Sequence, residues 1–162
     1  MNSVLKTLLL TSLLLGSLAI HSQTQNNTHG INAESKVKDT PVQILEKAGR
    51  IDDSAVGYAG VRTDVYSAFS QIYGAGKGSI DSAKHLIALG TPAGRIYGYL
   101  ILRYVGSQDA DVAAKQLLQD HAMVLVMNGC IGHSDSVSHL VTRIQKGESV
   151  IFLSGAVASG KQ

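Results

Sequence analysis

Residues 79–120, SIDSAKHLIALGTPAGRIYGYLILRYVGSQDADVAAKQLLQD, decide the fold class of this chain. Ser79 can cap a helix that carries Ile80, Ala83, Leu86, Ile87 and Leu89 at helical spacing and stops at Gly90. Thr91-Pro92 then opens the longest helix, because proline suits the first helical position, and Gly106 ends it just after Val105. Asp109 can cap a third, with Val112, Ala113, Leu117 and Leu118 on one face. Helices joined by such short turns must run antiparallel to their neighbours. That is the grammar of HEAT-like arrays, in which each helix pair covers its neighbour's core. No self-similar period runs through the whole chain, so an irregular bundle is equally consistent.

The same punctuation extends to either side. Thr40-Pro41 starts a helix with Val42, Ile44, Leu45 and Ala48 before Gly49. Thr63 heads another, with Val65, Ala68, Phe69, Ile72 and Tyr73 before the glycines 74, 76 and 78. A last helix spans about residues 136–146, with Val137, Leu140, Val141 and Ile144 inward. Two apolar runs break the pattern. Residues 123–127, followed by Asn128-Gly129, read as a buried extended or helical connector, and residues 150–153 form a similar run. If both are extended, they can pair as one small two-stranded element. The expected class is therefore mainly α: an irregular bundle or HEAT-like array of short antiparallel helices, with room for that one element.

The ends of the chain read differently. Lys6, the apolar residues 7–20 and the small residues Ser17, Ala19 and Ser22 make a secretory signal peptide over residues 1–22. Its apolar run is shorter than the ~20 residues a bilayer span requires, and no later segment is long and apolar enough to span. Residues 23–38 are almost wholly polar and read as a flexible spacer. A single domain over residues 39–155 and a frayed tail over 156–162 complete the expected organisation. The destination is the periplasm or the exterior.

Composition excludes some partners. The formal net charge of +2 falls to about +1 without Lys6, and the signs are mixed along the chain, with no basic cluster to track phosphates. Nucleic acid is not an expected partner. A single cysteine, Cys130, cannot form a disulfide within the chain. In an oxidising compartment an exposed thiol is a liability, so burial is the preferred reading of Cys130.

The segments VGYAGVRTDVYSAF (56–69), TPAGRIYGYLILRYVG (91–106) and NGC (128–130) together resemble small secreted bacterial proteins with HEAT-like short helical repeats and no assigned activity. The resemblance covers about half the chain. It implies export and helicity and supplies no chemistry.

Candidate chemistry is sparse. Residues 74–79, GAGKGS, lack the four-residue gap and the Gly-Lys-Ser/Thr ending of a phosphate loop and read as an interhelical turn. Cys130 with His133, near Asp135, is the best set for thiol chemistry, as an enzyme or a redox sensor. Sequence adjacency is a poor guide there, because such partners usually come from distant segments. His85, His121, His133 and His139 show no i, i+4 pair, so neither a metal nor a cofactor is expected. Asp52-Asp53 and Asp109/Asp111 read as acidic residues at helix starts. On the helix opened by Pro92, Arg95, Tyr99 and Arg103 recur every four residues as a stripe of the residue types enriched at binding hot spots. The expected function is accordingly a non-catalytic module binding a protein or envelope component through that stripe, with an inhibitor or immunity-type protein as a variant of it.

Overall fold

The computed structural model describes residues 38–151; the signal peptide, all of the spacer but Lys38, and the tail lie outside the described residues. Among the described residues no helix is long and apolar enough to cross a membrane. The elements in chain order are α1 (Pro41–Glu46), β1 (Arg50–Val56), α2 (Asp64–Gly74), a 3₁₀ turn (Gly76–Ser79), α3 (Ile80–Leu89), α4 (Pro92–Tyr104), α5 (Asp109–Leu117), β2 (Met123–Gly129), β3 (Ile131–Ser136) and α6 (Val137–Gln145). All six anticipated helices form close to their anticipated bounds.

Their starts follow from side-chain chemistry. Thr40 Oγ1 accepts the Gln43 amide at 3.3 Å while Gln43 Oε1 accepts the Thr40 amide at 2.9 Å, a reciprocal capping box. Thr63, Thr91 and Ser136 cap α2, α4 and α6 through the amides of Tyr66, Gly94 and His139. Two expected caps act otherwise. The Ser79 hydroxyl donates back to the Gly76 carbonyl at 2.6 Å. At α5 the Ser107 hydroxyl accepts the Asp109 amide at 3.2 Å, which leaves Asp109 in the first turn.

Helix α4 organises the rest. Ala93, Gly94, Ile96, Tyr97, Gly98 and the run from Tyr99 to Leu102 are buried, so apolar surface wraps the helix instead of forming one stripe. A helix apolar on all sides belongs in the centre of a core. It touches the five other helices and strands β1 and β2. Glycines make the closest approaches possible: a Cβ on Gly94 would lie 2.6 Å from the Leu45 carbonyl oxygen, and one on Gly98 2.6 Å from that of Ala83. Thr91 locks the helix to the end of α1, its amide donating to Glu46 O at 2.9 Å and its hydroxyl to Ala48 O at 2.6 Å.

The sheet is larger than expected, which makes the fold mixed α/β with helices predominant. Its strand order is β1-β2-β3. β1 runs parallel to β2, with Arg50 opposite Leu125 and Ile51 opposite Val126, across the whole segment that carries α2 to α5. β3 returns antiparallel to β2 through a tight hairpin. Residues 123–127 are thus a strand, but they pair with neither Val150 nor Ile151. Those two are buried outside any strand, and residues 152–153 lie outside the described residues. Asp52 and Asp53 are corrected from a helix start to the middle of β1, where both are buried. The Asp52 amide donates to the buried Tyr97 hydroxyl at 2.8 Å, which ties the sheet to α4. Arg50 Nε lies 2.7 Å from Asp52 Oδ1, pairing the charges, yet neither carboxylate oxygen receives a well-directed hydrogen bond.

Burial pushes the Tyr97 phenol well above the usual tyrosine range. An unfolded tyrosine titrates near pH 10, so the stability Tyr97 confers is intact below about that pH and is lost as pH rises beyond it. Tyr97→Phe orphans the Asp52 amide and is expected to cost about 1–3 kcal/mol at pH 8 in urea unfolding. The deficit should narrow between about pH 10 and 12, where the unfolded wild type ionises Tyr97 while the folded protein keeps it protonated, an effect the phenylalanine variant lacks. Gly98→Ala, which meets backbone and not a flexible side chain, should destabilise by at least about 1–3 kcal/mol in the same measurement.

Candidate functional site

Two turns meet at the end of the sheet where β1 and β2 finish. In the first, Gly57 to Gly60, Val56 and Val61 exchange amide and carbonyl bonds at 3.0 and 2.9 Å. In the second, Gly129-Cys130 links β2 to β3. The Gly57 amide donates to Gly129 O at 2.9 Å and joins them. Gly57, Gly60 and Gly129 hold φ values of 72°, 61° and 59°, a left-handed backbone that side-chain-bearing residues adopt at a cost. The turns therefore require glycine, and this folds residues 56–61 against 128–131.

What they display is apolar, beside an exposed thiol. Tyr58 is fully exposed, Ile131 is 73 % exposed, and Val61 also faces solvent. Cys130 is exposed at the hairpin corner, against the expected burial. The reason is the turn itself: a two-residue connection at the rim of a three-stranded sheet has no layer above it. Asn128 Oδ1, just before the turn, is buried and accepts no hydrogen bond. Along β2, Val124 and Val126 point into the core, while Met123, 62 % exposed, and Leu125 face outward. Opposite them β3 offers Ser136 and Ser134, too small to cover a neighbour.

The remaining candidates fall elsewhere. No hydrogen bond joins Cys130 to His133 among the described residues, and His133 lies on β3 opposite Val126. Asp135 instead serves His139, whose Nδ1 is 2.7 Å from Oδ1, and Arg143, whose Nη1 is 3.5 Å from Oδ2. Arg143 Nε also bonds Glu148 at 2.7 Å. A second imidazole, His121, has its Nδ1 3.4 Å from the Ser138 hydroxyl. The parts of a nucleophile relay are thus divided: one histidine holds the carboxylate and another the serine. Among the described residues no three His, Cys, Asp or Glu side chains converge as a metal site would require.

Arg95, Tyr99 and Arg103 do not make a common solvent-facing stripe. Arg95 is partly buried, with Nη2 2.7 Å from Asp120 Oδ2 and Nη1 3.0 Å from Gly90 O, so it pins the α4 start to the approach to β2. Tyr99 is 1 % exposed, and burial raises its phenol above the usual range. Arg103 alone of the three is exposed. The mistake arises from treating α4 as a surface helix. A shallow cavity of about 210 Å³ does open between α3 and α5, over Ile87, Leu102 and Ala113, with Lys84 and Asp109 at its rim.

Sequence reasoning overlooked Tyr58, Val61 and Ile131. The usable signal was the apolar, β-branched run of residues 123–127 leading into Asn128-Gly129, a short-range hairpin mark. Comparison of the chain with protein-family models, with curated proteins and with solved structures gives no match.

Because Cys130 is exposed and makes no hydrogen bond among the described residues, a maleimide should label the native protein stoichiometrically at pH 7.5. The expected rate is within about threefold of that for the urea-unfolded chain, since access is already complete. Labelling only after unfolding would contradict this placement.

Proposed function

We propose that this protein is an exported, non-catalytic binding module, secreted or periplasmic, whose partner is a protein or envelope component. Export rests on the signal-peptide reading of residues 1–22. The observation that carries the binding reading is the distribution of large exposed apolar side chains. Tyr58, Val61 and Ile131 sit on the two turns joined by the Gly57–Gly129 hydrogen bond, and Met123 and Leu125 lie apart from them on the outer face of β2. Exposed apolar groups gathered in one region mark interaction surfaces, whereas single scattered ones do not. Tyrosine is also among the residue types that dominate binding hot spots. The α3–α4–α5 run, with short turns and successive packing, is read as HEAT-like helix pairing that holds this sheet from behind. Kinship with small exported helical-repeat proteins belongs to the same proposal, as does an inhibitor or immunity role, which differs only in the partner.

A thiol reading keeps one observation in its favour, the exposure of Cys130. The absence of a bond from His133 weighs against it, since a nucleophile needs its base within hydrogen-bond reach.

Tyr58→Ala with Val61→Ser removes apolar surface without touching the core. The double variant should lose about tenfold in capture of its partner from envelope extract, the equivalent of one hot-spot side chain, with an unchanged melting temperature. Equal capture by wild type and variant would overturn the assignment of this surface.

A further inference from the structure

Strand β3 is the outermost strand of the sheet, and its free edge can be read residue by residue. The turn Gly129-Cys130 closes on the pair Asn128–Ile131, the doubly bonded kind of pair that flanks a two-residue hairpin turn. Pairing alternates from there. Ile131, His133 and Asp135 direct their amides and carbonyls to β2, whereas Gly132, Ser134 and Ser136 direct theirs outward. The Ser136 amide agrees with this parity, donating to its neighbour Asp135 Oδ1 at 2.8 Å. The outward groups of Gly132 and Ser134 have no partner among the described residues.

Protein edges of this kind normally carry a guard, such as a lysine, a proline or a bulge. β3 has no lysine, proline or bulge, its register with β2 is unbroken from Met123–Ser136 to Asn128–Ile131, and its one charged side chain, Asp135, is already held by His139 and Arg143. We propose that this edge pairs antiparallel with β3 of a second copy of the chain, about a twofold axis at Ser134. An antiparallel edge is self-complementary, so a twofold pair closes without leaving a new open edge beside it. With the axis at Ser134, each Ser134 exchanges amide and carbonyl bonds with its twin, and Gly132 faces Ser136 of the other copy.

Charge selects this register over its neighbours. It sets His133 directly opposite Asp135 of the other copy, twice, on the helix-covered face of the sheet. Moving the axis to position 133 opposes two histidines, and moving it to 135 opposes two aspartates. Two carboxylates directly opposite across strands are destabilising, and two opposed imidazoles forgo the imidazole–carboxylate hydrogen bond. Asp135 already bonds His139 and faces Arg143 across 3.5 Å, and its carboxylate retains acceptor capacity for an incoming imidazole. The product is a six-stranded sheet with Met123 and Leu125 of both copies on its outer face. Cys130 ends up at opposite ends of the paired strands, about 27 Å from its twin at ~3.4 Å per residue, so the native thiol does not link the copies.

Three single-cysteine variants, all carrying Cys130→Ser, test this: Ser134→Cys, His133→Cys, and Ser67→Cys on an exposed position of α2. Facing residues of a hydrogen-bonded antiparallel pair have Cα atoms ~5.5 Å apart, within disulfide range. Under mild oxidation Ser134→Cys should form a covalent dimer at least tenfold faster than either other variant. Sedimentation of the wild type should show a dimer growing with concentration between 1 and 100 μM, on the order of ordinary weak association. The Tyr58→Ala, Val61→Ser variant should dimerise like wild type, so failure of the partner surface and failure of this edge are distinguishable. A monomer throughout, cross-linking no faster than Ser67→Cys, or preferential linkage through His133→Cys would each overturn the proposal.

Discussion

The close approach of α4 to the carbonyls of α1 and α3 is the constraint on which the architecture depends. At Gly94 and Gly98 a single added methyl would meet backbone oxygen at 2.6 Å, and backbone cannot rotate aside as a side chain can. The two glycines lie one helical turn apart on the same face, so they act together as a smooth track for two neighbours. Thr91 fixes the start of that track through both its amide and its hydroxyl. Tyr97 extends the constraint to the sheet, because its hydroxyl receives the Asp52 amide deep in the core. One helix thereby sets the positions of α1, α3 and β1 together.

Centring α4 redistributes the surfaces of the molecule. Arg95 and Tyr99 become internal fasteners, so the exposed apolar side chains at the sheet's end are carried by elements that are weak formers of regular structure. The two terminal turns hold because three glycines accept a left-handed backbone and because Gly57 and Gly129 share a hydrogen bond. Strand β2 then has a core face of Val124 and Val126 and an open face of Met123 and Leu125, while β3 contributes little bulk. Apolar exposure, an open edge and an accessible thiol fall on the small sheet and its turns, while the helical side keeps a shallow cavity between α3 and α5.

The helices were legible because their determinants are local. Thr40, Thr63, Thr91 and Ser136 sit before apolar residues at helical spacing, and glycines follow. β2 was legible only as a run either extended or helical, and β1 and β3 were not, for reasons specific to each. β1 places Asp52-Asp53 at its centre, and consecutive carboxylates argue for a cap until a buried Tyr97 and a flanking Arg50 supply their surroundings. β3, with Gly132, His133, Ser134 and Asp135, is built of residues poor in strand propensity and is extended because β2 provides its ladder. The candidate binding stripe failed for a related cause: a period of four identifies residues sharing a face but cannot tell whether that face meets water or another helix.

By itself, the sequence determined six helices, their boundaries, and the short turns that make neighbours pack. Each of these needs only contacts between residues a few positions apart. Tertiary structure alone decided that β1 pairs with β2 across the intervening helices, that Tyr99 is internal and that Cys130 is external. Parallel pairing joins distant segments and leaves no mark at short range, and burial depends on which layers happen to cover a residue. The proposed binding surface belongs to this second class. It exists because residues 56–61 and 128–131, separated by most of the domain, are brought to one edge by a sheet that a central helix holds in place.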